Sequence, residues 1–159
     1  MKKAAKRTLC TLLAILLTLG LAACGGSKTV DPKTCTYDEM VDYLTAKGYI
    51  SKDAVPVDML TTMGYLTDNT GGEIPFAPFA DKAMDYDGLW LMWWDSETPS
   101  EAYTSCFQNL AMNGGTVVYM GGAAVLETAA YSGSFAIAFA ENYAQKDAVI
   151  ADFQALSQK

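Results

Sequence analysis

The chain has 159 residues and no histidine, with 51% hydrophobic and 18% charged residues at a formal net charge of −7. That composition is globular and excludes a disordered stalk. The missing imidazole excludes Ser–His and Cys–His nucleophile pairs, His-ligated zinc or copper, and unperturbed side-chain titration near neutrality; the acidic balance repels phosphate backbones, so nucleic acid is not an expected partner.

In chain order, Lys2, Lys3, Lys6 and Arg7 come first, followed by an apolar run from about Leu9 to Leu21. These are the charged and hydrophobic regions of a secretory signal. The run of roughly 13–15 residues is shorter than the ~20 that span a bilayer as a helix. Leu21-Ala22-Ala23-Cys24 closes it, and small residues directly before a cysteine resemble the lipobox of bacterial lipoproteins. The resemblance implies a removable signal at 1–23, a diacylglyceryl group on the Cys24 thiol, and a lipid-anchored place on the extracytoplasmic face of a cell membrane. Cleavage there leaves 136 residues, enough for one ordinary domain. It removes four of the eleven basic residues and none of the eighteen acidic ones, so the mature net charge is −11. Attachment then rests on acyl chains, at about 0.8 kcal/mol per buried methylene, and not on a polybasic patch.

Residues 24–35 contain Gly25, Gly26, Ser27 and Pro32 and read as a lipidated cysteine with a flexible tether. Ten such residues reach at most about 35 Å. One domain, 36–159, follows. Thr36-Tyr37-Asp38-Glu39 is a capping box that opens a helix through Met40, Val41 and Leu44, with Gly48 as its left-handed stop. A shorter helix is expected over about Pro56–Met63, ending at Gly64. Residues 41–51 align with 57–67 at an offset of 16, which reads as a local helix pair because a solenoid needs three or more copies. Asp68–Phe79, with two glycines and two prolines, reads as an irregular loop pinned by Ile74, Phe76 and Phe79.

Gly88–Trp94 is a strand with Leu89, Leu91 and Trp93 on one face and Trp90, Met92 and Trp94 on the other. Both faces are apolar, as in a central strand covered on each side. Pro99–Asn113 reads as a helix capped by Ser96, Thr98 or Ser100 and stopped by Gly114. Thr116–Met120 is a strand, and Gly121-Gly122 suits a two-residue primed turn. Ala123–Ala130 has helix-friendly composition, but its neighbours and the Tyr131-Ser132-Gly133 turn favour a strand. Ser134–Ala140 is a strand and Tyr143–Leu156 a closing amphipathic helix. The expected fold is α+β, with a mainly antiparallel four-stranded sheet and packed helices. A helix at 123–130 would instead give a small α/β fold with parallel strands.

Chemistry-bearing residues cluster around the tryptophan strand. Asp81, Asp85 and Asp87 precede it; Asp95 and Glu97 follow it. Trp93, Trp94, Asp95 and Glu97 are candidate ligand-binding residues, and a carboxylate pair beside a tryptophan is also what a glycan-acting enzyme needs. Asp87 and Asp95 sit at opposite strand ends, roughly 25 Å apart at about 3.3 Å per residue. Acids entering a helix also serve its positive end. Asp81, Asp85 and Asp87 form a candidate cation site, although the EF-hand register places Ala83 and Trp94 at ligand positions and fails. Glu127 in its apolar segment reads as an edge-strand charge.

No phosphate loop, dinucleotide fingerprint or metal-spaced cysteine pair occurs, so no cofactor and no metal are expected. Cys10 leaves with the signal and Cys24 is the lipid site, which leaves Cys35 and Cys106. Outside the cytoplasm these two can pair, closing a loop worth about 4 kcal/mol in the chain-entropy model. Cys106 equally fits a helix's apolar face as a small hydrophobe. The functional expectation is a membrane-anchored, non-enzymatic module that binds a small ligand or an envelope protein. The alternatives are a carboxylate-dependent glycan enzyme and a partner-docking scaffold.

Overall fold

The computed structural model describes residues 29–62, 65–67, 70–75, 78–118 and 124–157. Its centre is an antiparallel sheet of five strands, ordered β1-β4-β5-β9-β8: β1 Val57–Asp58, β4 Lys82–Tyr86, β5 Leu89–Trp93, β9 Phe135–Phe139 and β8 Ala130–Ser132. Two separate ribbons pair β2 Tyr65–Thr67 with β3 Glu73–Pro75, and β6 Thr116–Val118 with β7 Ala124–Glu127. The helices are α1 Tyr37–Ala46, α2 Met59–Thr62, α3 Glu101–Ser105 and α4 Lys146–Leu156. The α+β class holds, and every strand pair among the described residues is antiparallel.

The expected four-strand sheet is corrected to five, with different membership. β4 joins it through a hairpin at Asp87-Gly88, where Tyr86 faces Leu89. Asp87 has φ +53° and Gly88 φ +96°, the two left-handed residues that a primed two-residue turn requires. β6 and β7 leave the main sheet for their own ribbon, and Gly121-Gly122 lies outside the described residues. Within the 123–130 segment Ala124–Glu127 and Ala130 are strand, not helix, and Ala123 lies outside the described residues. The strand breaks at Thr128, whose backbone amide and hydroxyl both donate to the Gly115 carbonyl, and continues into the main sheet when Ala129 N–H donates to the Ile137 carbonyl.

β5 is the covered central strand that its two apolar faces predict. Leu89 and Leu91 join Phe135 and Ile137 beneath α1 and α4, which contribute Met40, Tyr43, Leu44, Val149, Phe153 and Leu156. These recur at three- and four-residue steps, one stripe per helix. Met92 and Trp94 on the other face pack with Ala136 and Ala138 under Ala102, Cys106, Leu110 and Val117. Cys35 packs at the first cluster and Cys106 lies in the second, so the sheet separates them and both are free thiols.

Local chemistry accounts for the helix ends. The Thr36 hydroxyl accepts from Glu39 N–H while the Glu39 carboxylate accepts from Thr36 N–H, and Gly48 at φ +76° lets Tyr49 N–H reach the Leu44 carbonyl. The second expected helix shrinks to Met59–Thr62 because Val57 and Asp58 pair with β4. The Asp58 carboxylate then caps the helix by accepting from the Leu60 and Thr61 amides. The 41–51 and 57–67 segments, alike in sequence, therefore fold differently.

The expected 99–113 helix opens at Ser100 but gives way after Ser105 to a 3₁₀ turn at Phe107–Asn109. Thr104 and Ser105 hydroxyls donate back to the Ser100 and Glu101 carbonyls, contacts that compete with the helical ladder. The last helix starts at Lys146 instead of Tyr143. Tyr143 remains outside it, stacked on Phe139 with its hydroxyl donating to the Tyr49 carbonyl.

Residues 24–28 of the expected tether lie outside the described residues, and the rest of it is seated on the body. Val30 and Cys35 pack on the first core cluster and Pro32 is buried. The Pro32 carbonyl accepts from Ser134 N–H at 2.9 Å. A Cβ on Gly133, which has φ +56°, would overlap the Pro32 carbonyl. From Val30 onward the segment belongs to the body.

Candidate functional site

Of the residues singled out around the tryptophan strand, Asp81, Asp85, Trp94 and Asp95 use their side chains in structural bonds. Trp94 is fully buried: its indole N–H donates to the Phe79 carbonyl at 2.9 Å, and its ring lies 5.1 Å from that of Phe107. A ligand cannot reach it. Trp93 is half-buried on the opposite face, against the first cluster, so the two tryptophans do not form one stacking platform.

The Asp95 carboxylate accepts from the Glu97 and Thr98 amides at 2.9 and 3.1 Å, closing its own loop, while Asp95 N–H donates to Asp81 at 2.8 Å. The Glu97 side chain is exposed. Helix capping falls to Ser100, which accepts from Tyr103 N–H. Carboxylates engaged in turns of this kind are structural.

The three aspartates of the candidate cation site are not brought together. Asp81 and Asp87 flank β4 at its two ends, roughly 20 Å apart at strand rise. Asp85 accepts from Gly88 N–H at 2.7 Å and so serves the hairpin. Among the described residues no group of three or more His, Cys, Asp or Glu is placed to hold a metal ion. Glu127 ends β7 in the ribbon, exposed. Cys24 lies outside the described residues.

Nucleophilic use of the thiols is opposed by their surroundings. Burial, with the nearby Glu39 and Asp31 carboxylates, pushes the Cys35 thiol up to about 11. Burial likewise raises Cys106. A thiol that stays protonated is a poor nucleophile.

Among the described residues three grooves lie elsewhere and meet at Ser157. One, of about 270 Å³, runs between Thr29–Lys33 and Leu156-Ser157. A second, of about 370 Å³, is lined by Tyr103, Phe107, Leu110, Tyr131 and Gly133 among others. The third, of about 390 Å³, is lined by Gly114, Gly115, Ala129, Tyr131 and Gln154 among others. The Ser157 hydroxyl donates to that of Ser132 at 2.5 Å, joining the end of α4 to edge strand β8. Tyr131 is 43% exposed, and Met112, between residues that line the second and third grooves, is 83% exposed.

This flank has a sequence signal that motif reasoning passes over. Between Glu101 and Glu141 the one charged residue is Glu127, in a chain with 18 acidic and 11 basic residues. The grooves beside Tyr131 are built largely from that uncharged stretch.

No family model, no curated protein and no solved structure matches the chain. Among the described residues no helix is long and apolar enough to cross a membrane.

Proposed function

We propose that this chain is a lipid-anchored, extracytoplasmic, non-enzymatic module that engages another component of the cell envelope through its uncharged flank. Anchoring rests on Leu21-Ala22-Ala23-Cys24 behind its basic and apolar leader. The observation that carries the binding reading is the placement of exposed apolar side chains. Tyr131 lines two of the grooves and Met112 follows Ala111 of the second, in a stretch whose one charged residue between Glu101 and Glu141 is Glu127, where water is displaced at low cost. The glycan-enzyme reading loses its support because Trp94 is sealed in the core and Asp95 is occupied by backbone amides.

The test is membrane fractionation of wild type and Cys24→Ala, with palmitate labelling of both. Wild type is expected in the membrane fraction and labelled; the variant is expected unlabelled and either soluble or held as unprocessed precursor. Equal labelling and partition of the two would refute anchoring through Cys24. Turnover of an envelope glycan that is lost in Asp95→Asn would refute the non-enzymatic assignment.

A further inference from the structure

We infer that the envelope component met by the uncharged flank is the bilayer itself, and that the domain lies with the β8 edge and the Met112 turn on the lipid surface. The inference rests on the anchoring reading above and deepens it.

The first observation is covalent reach. Five residues lead from Cys24 to Thr29, so an acylated Cys24 holds Thr29 within about 18 Å of the interface. The body begins almost at once, because Pro32 is locked to Ser134 and wedged against Gly133. The point of attachment is therefore the corner beside β8. Groove by groove, the surface continues from Thr29 to Ser157 and on to Tyr131.

The second observation is charge. A body of this acidity is repelled by anionic headgroups on any side that presents carboxylates. The α1 and α4 side carries Asp38, Glu39, Asp42, Asp147 and Asp152, and the far end of the sheet carries Asp85, Asp87 and Glu141. Asp95 and Glu97 flank Ser96, whose hydroxyl accepts from that of Ser134, so the chain there carries carboxylates. Of the described surfaces next to the attachment corner, the Tyr131–Met112 flank carries exposed apolar groups with few charges: Asp31 and Lys33, which line the first groove, and Glu127, next to Thr128 of the third. A thioether and an amphipathic phenol ring suit an interfacial position, apolar body inward and polar edge wet.

The experiment uses the full lipidated chain reconstituted in phosphatidylethanolamine–phosphatidylglycerol vesicles. An environment-sensitive fluorophore is placed on Met112→Cys or Tyr131→Cys, and on Asp53→Cys or Glu141→Cys as controls, in a Cys35→Ala background. Asn113→Cys replaces any flank variant whose circular dichroism departs from wild type. Flotation is read first. If the protein fails to float with vesicles, anchoring itself fails and the inference falls with it.

Given flotation, doxyl-labelled lipid is expected to quench positions 112 and 131 with a blue shift in emission, and to leave 53 and 141 unchanged. Equal quenching at all four positions, or at none, overturns the orientation. Shielding of 112 and 131 from aqueous iodide without lipid quenching also overturns it, and points to a protein or the chain's own N-terminal residues on that flank.

Discussion

The two edges of the central sheet are guarded in different ways. At one edge, β1 is two residues long and sits among Lys52, Asp53 and Asp58, and Asp58 spends its carboxylate on capping α2. Val55 and Val57 are exposed there, with Asp53 and Asp58 close to them in sequence. At the other edge, β8 is three residues long, and no charged residue lies between Glu127 and Glu141. Charges on an edge discourage unwanted strand pairing. The β8 strand itself lacks them; the N-terminal segment, with Asp31 and Lys33, lies on one side and the end of α4 on the other.

The largest effect is expected at the sheet centre that both edges share. Trp94→Ala removes a fully buried indole with its hydrogen bond, and should cost about 3–5 kcal/mol in urea unfolding. A loss under 1 kcal/mol would mean that Trp94 is a surface group after all.

Gly133→Ala attacks the β8 edge alone. Its φ of +56° and the overlap with Pro32 predict a loss of about 1–3 kcal/mol. Proteolysis between 29 and 35 should accelerate in the same variant. Unchanged cleavage would show that the N-terminal segment is not seated on β8.

A smaller effect belongs to the charged side. Lys47 pairs with Asp152 at 2.9 Å, and the Tyr49 hydroxyl donates to the same carboxylate at 2.7 Å. The Lys47 ammonium, then Tyr49, hold the Asp152 carboxyl below its ordinary value of 3.8. A carboxylate lowered in the native state stabilises it fully above that ordinary value, and the gain disappears as pH falls through the lowered native one. Because both groups are about one-third exposed, Asp152→Asn should cost only about 0.5 kcal/mol at pH 7. The difference from wild type should vanish in strong acid. A difference that persists at low pH would assign the effect to packing.

Glu97→Gln should do least, within about 0.5 kcal/mol of wild type, with membrane partition unchanged. A large functional loss without destabilisation would return Glu97 to the centre of the account.

The sequence made legible whatever depends on near neighbours. Thr36 and Glu39 three residues apart, the alternating faces of β5 and the glycine at 48 each fix local geometry by themselves, and the structure has them all. What it obscured depends on competition or on distant partners. Asp87-Gly88 is a strong hairpin signal, but Lys82 and Asp85 interrupt the apolar alternation of β4, so the aspartates looked like a cation loop. The helix after Ser100 was cut short by Thr104 and Ser105 hydroxyls, which a periodicity count does not see. The site shifted for a related reason. Tryptophans and carboxylates attract chemical interest, yet Trp94 and Asp95 were satisfied internally, and the flank around Tyr131 announced itself only by lacking charge.

On the proposed anchoring, hydrogen exchange on the full chain reconstituted in vesicles, set against Cys24→Ala without vesicles, tests the contrast between the two edges most directly. Amides at 107–115 and 129–134 should exchange more slowly in vesicles, while those at 51–58, beside β1, exchange at the same rate in both. Equal slowing at both edges, or slowing confined to 51–58, would contradict the account.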